Sequence, residues 1–408
     1  MNKFFGRGMF CGFIMAALLL LIVACSVPDD ENKLVDITPT VSTTISGNLD
    51  KDAYNAKIQK IQTLLERYYI DDIDYDKMTE GLYAGLMESL GDPYSLYYSA
   101  EDYAEFNTET EGNYAGVGST VTTNKDGNPE FVKPFKNGPA YKAGILPGDI
   151  LCEVDGESVL GLDLDYVVSL IRGEPGTSVH IKIYRDSISD YIELDVVRAQ
   201  VEVETVEYQM LENNIGYVIV TEFDGVTADQ FIEAIDDLEA QGMKGLIVDL
   251  RDNPGGMLTT VKSMLSRILP NKSLLVYMEY KDGDREEYYS DSKKTVDVPI
   301  AVLINGNSAS ASEVFAGCLR DYEKATLVGT QSFGKGIVQS VVPLGDGSAI
   351  KLTTSKYYSP KGTNIHGVGF TPDIIVELDP SLKGLVTIPI EQDNQLQAAV
   401  ECIEKQIQ

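Results

Sequence analysis

The stretch NGNSASASEVF, Asn305 to Phe315, sets three serines alternating with alanines between an apolar run and a helical pattern. A serine hydroxyl is a weak nucleophile and needs a base poised to take its proton. At the N-terminus of a helix it would also meet backbone N–H groups able to stabilise an oxyanion. The same stretch has a plainer use. Ser310 and Glu313 fit S-x-x-E, the capping box that opens a helix, and local sequence does not choose between the two. The usual activating partner is distant. There are two histidines, His180 in an alternating strand and His366 in a glycine-rich loop, both in settings that suit structural or solvated residues. Asp249 and Asp252 of DLRDN are spaced like a carboxylate pair for acid/base or metal work, but read as a structural residue and a loop residue. The sequence holds no G-x-S-x-G elbow, no H-E-x-x-H helix and no Walker A loop. It has no CxxC or Cys/His cluster that would hold a metal.

The elements that must position these residues follow from periodicity and punctuation. Apolar residues recur at Ile58, Ile61, Leu65 and Tyr68, a helical stripe, and a second helix over 75–90 stops at GDPYS. Short alternating strands with frequent glycines follow, from about Glu111 to Val197. From Ile215 the texture changes to α/β. IGYVIV is a buried strand, and TADQFIEAIDDLEAQG a helix with Thr227 and Gln230 as its capping box. GLIVDL is a strand running into RDNPGG, and PIAVLIN a strand running into the three serines. Strands alternating with helices imply a mainly parallel sheet covered on both faces. The C-terminal NQLQAAVECIEKQI carries a stripe through Leu396, Val400, Ile403 and Ile407. The stripes at the two ends fit a homodimer contact and packing within one chain equally well.

With 408 residues and 43% hydrophobic content, the chain has material for two or three domains. Lys3 and Arg7 precede an apolar run, Met9 to Val23, that IVAC closes at Cys25. This resembles the lipobox of bacterial lipoproteins. The resemblance implies that residues 1–24 are a signal peptide, that Cys25 is diacylated, and that the protein is lipid-anchored on the outer face of the cell membrane. Residues 25–50, rich in Pro, Ser, Thr and Asp, read as a flexible linker. Cys11, Cys25, Cys152, Cys318 and Cys402 are odd in number and far apart, so no disulfide framework is expected, and the last three read as small buried apolar residues. The formal charge of -30 excludes nucleic acid as a partner, because phosphate binding needs a basic face. Repulsion from anionic lipid leaves the lipid chains as a tether.

Longer motifs carry a second resemblance. GPAYKAGILPGDIL is similar to the signature of a PDZ domain in the permuted form of bacterial proteases, with Gly116, Val117, Gly118 and Ser119 where the carboxylate-binding loop would be. Closely spaced glycines let backbone N–H groups converge on a terminal carboxylate. Together with RDNPGG, NGNSASASEVFAGCLRDY and GTQSFGKGIVQ, the block resembles the carboxy-terminal processing peptidases, or tail-specific proteases, over about Tyr54 to Leu378. The resemblance implies an α/β protease core of the crotonase/Clp-protease type of sheet and helices, an inserted PDZ domain, and helical N- and C-terminal segments. The corresponding ranges are 51–100 for the helical N-terminal segment, 101–198 for PDZ, 199–380 for the core and 381–408 for the C-terminal segment.

The same resemblance implies a Ser/Lys pair, with Ser310 as nucleophile, Lys335 of FGKG as general base and Gln339 orienting the lysine. It puts the amides of Ala311 and of Gly256 or Gly255, with Gly256 preferred, in the oxyanion hole. Asn307 stands where many relatives have glycine. Arg172, at the end of a PDZ helix, matches an arginine that in some relatives reaches the glutamine and gates the site. No cofactor and no metal are implied. Substrates would be proteins with exposed apolar C-terminal tails. The physical demand on Lys335 is clear: its ordinary pKa is about 10.4, so burial must bring it toward neutrality at a cost on the order of 4 kcal/mol. The rival reading is a catalytically dead tail-binding scaffold, against which the intact Ser310, Lys335 and Gln339 weigh.

Overall fold

The computed structural model describes residues 50–136, 138–383 and 388–407. The signal segment, Cys25 and the linker up to residue 49 lie outside them. The chain divides into two compact units. One holds Ala104–Ser340 and Thr354 onward; the other holds the described residues up to Tyr103 together with Val341–Thr353.

The larger unit is built on a six-stranded sheet whose strand order follows the chain: β1 (Val206–Met210), β2 (Ile215–Val220), β3 (Gly245–Asp249), β4 (Ile300–Ile304), β5 (Ala325–Gly329) and β6 (Ile374–Ile375). β1 is antiparallel to β2, and every later pair is parallel. Val248 stands opposite Val302, and Val302 opposite Leu327. Crossovers are made by helices α1 (Thr227–Ala240), α2 (Leu258–Ile268) and α3 (Ala311–Asp321), and α4 (Asn394–Ile407) closes the chain. Successive strand residues face opposite ways. Leu246, Val248, Val302 and Ile304 therefore pack with Phe231, Leu265 and Phe315 on one face. Ile247, Ala301 and Leu303 pack with Leu396, Ala399 and Ile403 of α4 on the other. Each fully buried Val, Leu, Ile or Phe among these contributes about 1.5–3 kcal/mol, and the C-terminal stripe is used inside the chain. Val400 and Ile407 pack against the same cluster but are only half-buried, and Ala399 joins Leu396 and Ile403 at its centre.

Helix α1 departs from expectation at its start. Val226 is the N-cap and Thr227 is already helical. The Thr227 hydroxyl accepts from the Asp224 N–H (3.0 Å) and pairs with Thr205 (2.7 Å). Gln230 does not fold back on the cap. It accepts from the Thr205 N–H at 3.0 Å and donates to the Val203 carbonyl at 2.8 Å. Those backbone groups are shielded from water and would be costly to leave unpaired, and Gln230 is the side chain that reaches them.

The inserted domain has its own core, around Phe131, Leu151, Val167, Val179, Ile181 and Ile183. Its antiparallel sheet runs in the order Ser119–Thr123, Pro129–Pro134, Asp149–Val154, Ser178–Arg185, Asp190–Val197. The helix Leu164–Ile171 starts at Asp163, whose carboxylate accepts from the Asp165 N–H at 3.1 Å. The entering strand Asn113–Gly116 pairs with the leaving strand Ala199–Glu202, Tyr114 opposite Val201. Both ends of the insertion thus leave from one place. His180 is exposed on this domain and pairs with Asp195 at 2.8 Å.

In the smaller unit, the helices Lys51–Tyr68 and Tyr75–Glu88 are capped by Asp50 and Asp74, which accept from the Ala53 and Lys77 N–H groups at 3.0 and 2.9 Å. Such caps contribute about 1 kcal/mol each. The first helix buries none of its residues, and Ile61, Leu65 and Tyr68 of the stripe are exposed. A short strand, Leu96–Tyr98, pairs antiparallel with residues 349–351.

Candidate active site

β4 delivers the three serines to the start of α3, and the fold treats them differently. Ser308 donates its hydroxyl to the Leu250 carbonyl at 2.7 Å, and Ser312 donates to the Asn253 carbonyl at 2.9 Å. The hydroxyl of Ser310 donates to none of the described residues. Ser310 is the N-cap of α3 with φ 54° and ψ -111°, a strained conformation for a residue with a Cβ that costs of order 1–3 kcal/mol. Three bonds hold its backbone there: its N–H donates to the Glu313 carboxylate at 3.0 Å, and its carbonyl accepts from the Val314 N–H at 2.9 Å and the Tyr357 hydroxyl at 3.2 Å. The expected capping box is therefore present, at the same residue that the nucleophile reading selects.

Glu313 does more than cap. Its Oε2 accepts from both the Ser310 N–H and the Lys335 N–H (2.8 Å), and its Oε1 from the Gly334 N–H (2.8 Å) and the Ser332 hydroxyl (2.6 Å). One buried carboxylate thus gathers the backbones of the serine and the lysine. Burial pushes its pKa up, opposed by the Ser332 hydroxyl and the three backbone donors that favour the ionised form. Lys335 and Gln339 are both fully buried. Lys335 lies between glycines for a steric reason. A Cβ at position 336 would stand 2.6 Å from the His366 backbone nitrogen, and one at 334 would stand 2.8 Å from that of Gly369. The His366 loop packs over the lysine loop by its backbone, while the His366 ring is exposed. Gln339 sits on the strand Ile337–Pro343 that leaves this loop.

The third segment is RDNPGG, after β3. Asp249 accepts from the Tyr217 hydroxyl (2.7 Å) and from Arg251 (2.6 Å), whose guanidinium also grips Asp393 (2.7 Å) at the start of α4. Asp252 accepts from the side chains of Asn305 (3.0 Å) and Asn307 (2.7 Å). Both aspartates are thus spent on structure, and Asn307 ties two loops together. Gly255 passes so close to the serine that a Cβ there would lie 2.9 Å from the Ser310 Cβ and 3.1 Å from the Ala311 nitrogen. Its own N–H donates to Asn253 Oδ1 at 2.9 Å. The N–H groups of Gly256 and Ala311 have no acceptor among the described residues, and Ala311 opens α3, where the first amides have no intrahelical partner.

The profile of peptidase family S41 matches residues 214–376, and that of the PDZ domain residues 134–185. The profile of the activating protease CtpB N-terminal domain matches residues 27–102. The carboxy-terminal processing protease CtpB of Bacillus subtilis (strain 168) is 35% identical over 343 residues, 83% of this chain and 71% of the relative. The chain belongs to the carboxy-terminal processing proteases of peptidase family S41. A second relative from the same organism, carboxy-terminal processing protease CtpA, is 36% identical over 342 residues, 83% of this chain and 73% of the relative. A putative S41 protease from Bacteroides fragilis NCTC 9343 shares the fold, with a TM-score of 0.51, 18% identity, and 83% and 93% of the two chains covered. The protein is a serine peptidase with a PDZ domain.

In this peptidase the loop Gly116–Ser119 is buried and lies against an apolar cavity of about 240 Å³, lined by Val117, Val121, Phe135, Val168 and Ile171. Arg172 follows the PDZ helix and also lines a neighbouring cavity of about 290 Å³, which it shares with Glu109, Glu222, Asp224, Gly255 and Gly256. Its guanidinium lies 5.3 Å from the centre of the Tyr114 ring, and its Nε is buried without a hydrogen-bond partner among the described residues. Sequence reasoning missed the carboxyl pair in this cavity. Phe223 points into the core beside Phe315, so Glu222 and Asp224 on either side turn the opposite way. Burial, then Glu222 and Glu109, pushes the Asp224 carboxyl up to about 8.

Proposed function

We propose that this protein is an exported, lipid-anchored endopeptidase that captures C-terminal tails on its PDZ domain and cleaves them with a Ser310/Lys335 pair. The observation that carries the reading is the Glu313 carboxylate, one oxygen of which accepts from both the Ser310 and the Lys335 N–H. It supports a short, fixed relation between two buried side chains that sequence separates. Neutral Lys335 takes the proton as the Ser310 oxygen attacks the scissile carbonyl. The amides of Gly256 and Ala311 stabilise the resulting oxyanion. Lys335 then gives the proton to the leaving amine, and water hydrolyses the Ser310 ester by the same relay. Gln339 orients the lysine. No metal or cofactor enters these steps.

The loop Gly116–Ser119 beside an apolar cavity supports docking of a terminal carboxylate with an apolar side chain. Arg172, between that cavity and Gly255–Gly256, is the residue through which PDZ acts on the site. The sheet whose strand order follows the chain supports the crotonase/Clp-protease type of core. Export and the anchor at Cys25 rest on the lipobox, and a homodimer is supported by the exposed stripe of the first helix. The test is incubation of the protein, beside Ser310→Ala, with an unfolded protein bearing an apolar tail. Cleavage by the parent alone supports the enzyme; equal cleavage by both, or by neither with the tail still bound, removes it.

A further inference from the structure

Asn253, in the loop after β3, is fully buried. Its bonds run to three different segments. Oδ1 accepts from the Gly255 N–H at 2.9 Å, and Nδ2 donates to the Val220 carbonyl, at the end of β2, at 2.8 Å. Its backbone carbonyl accepts from the Ala309 N–H at 3.1 Å and from the Ser312 hydroxyl at 2.9 Å. Ala309 and Ser312 bracket Ser310 and Ala311. One residue therefore joins the sheet, the glycine loop and both flanks of the nucleophile segment, and a buried group left unpaired among these would cost about 1–3 kcal/mol.

We propose that Asn253 is the positioning residue that sets the register of the oxyanion hole: it commits the Gly255 amide, so that Gly256 supplies the second donor opposite Ala311. The inference rests on the Ser310 reading above. The peptide groups around Gly256 are fixed in turn, since the Gly255 carbonyl accepts from the Phe223 N–H at 2.9 Å and the Phe223 carbonyl accepts from the Met257 N–H at 2.7 Å. Position 256 admits no side chain, because a Cβ there would lie 2.4 Å from the Phe223 oxygen. Donors held in place before the reaction need no reorganisation as charge develops on the substrate oxygen. Without the Asn253 acceptor, the Gly255 amide competes with that of Gly256 for the loop's orientation.

Two variants of the full-length protein, Asn253→Ala and Asn253→Asp, separate positioning from mere folding. They are assayed on a fluorogenic peptide with an apolar tail, with circular dichroism and melting temperature as controls for fold. Asn253→Ala should lower kcat about a hundredfold, the scale of losing one oxyanion donor. KM should change little, and affinity for a peptide aldehyde, which forms a tetrahedral adduct on serine, should fall in parallel with kcat. Asn253→Asp carries its own check. Protonated, the new carboxylic acid can still accept from Gly255 and donate to Val220. Ionised, it loses the donor and places negative charge beside the oxyanion. Its kcat relative to the parent should therefore be highest at low pH and fall as pH rises. A folded Asn253→Ala protein with kcat within about threefold of the parent would overturn the proposal. So would an Asn253→Asp to parent ratio that is flat with pH, and this second variant keeps the test alive if the alanine form does not fold. Failure of the underlying reading looks different: Ser310→Ala would then retain activity.

Discussion

At the scale of single residues, the fold distinguishes three serines that look alike in the chain. Ser308 and Ser312 spend their hydroxyls on backbone carbonyls, while Ser310 is held in a strained conformation with its hydroxyl donating to none of the described residues. Ser310→Ala and Lys335→Ala should each abolish proteolysis while leaving the circular dichroism spectrum unchanged, whereas Ser308→Ala and Ser312→Ala should retain a clear fraction of activity. An active, folded Ser310→Ala protein would sink the assignment. Glu313 gives a second expectation. An amide in its place must turn its NH₂ toward one of the two donor pairs, so Glu313→Gln loses two charge-assisted bonds, each contributing ~1.5–3 kcal/mol. Turnover should fall at least about tenfold and the melting temperature should drop together with it. A variant as stable and as fast as the parent would show that the carboxylate clamps nothing.

Between elements, the instructive junction is the end of the PDZ helix. Arg172 lines both the apolar cavity beside Gly116–Ser119 and the cavity walled by Gly255 and Gly256, and its Nε is buried without a partner among the described residues. A helix-end arginine serving only the helix dipole would contribute about 0.3–1 kcal/mol and leave catalysis alone. If it transmits tail binding, Arg172→Ala should depress turnover about tenfold, as expected for a lost charge-assisted hydrogen bond, while tail affinity at PDZ stays nearly constant. Measuring both on one tailed substrate separates the roles. Unchanged turnover would leave PDZ as a docking site only. The glycine loop also depends on α4, because Arg251 just ahead of it grips Asp393 and Gln395 at 2.7 and 3.0 Å.

For the whole molecule, the dominant fact is its acidity, a formal charge of -30. Asp224 keeps its proton far above the ordinary carboxyl range because the core removes it from water and sets Glu222 and Glu109 beside it. The folded form thus binds a proton that the unfolded form has released. That contribution to stability is fully present below the ordinary carboxyl value and is lost as pH rises toward about 8. Asp224→Asn, which cannot ionise, should melt higher than the parent at pH 8, with the difference shrinking toward acid. Parallel melting curves for the two proteins across that range would refute the burial argument. The last expectation concerns Cys25, outside the described residues. Mass spectrometry of the membrane-extracted protein should find diacylglycerol on Cys25 and no residues 1–24, and an intact Met1 terminus would refute it.

By itself the sequence determined the order of the elements, the two-faced sheet, the PDZ block and the candidate site residues. These depend on local properties: the period of apolar residues decides which face is buried, and runs such as GPAYKAGILPGDIL keep their meaning wherever they are placed. The tertiary structure decided what depends on segments remote in sequence coming into register. It distinguishes the hydroxyl of Ser310 from those of its neighbours through carbonyls of Leu250 and Asn253, and the Gly256 amide from that of Gly255 through an asparagine side chain. It turns Gln230 away from its own helix to satisfy a strand leaving PDZ. It also seats Arg172 on the Tyr114 ring. None of these choices has a periodic signature, because a buried polar group takes whichever partner the packed chain brings within about 3 Å.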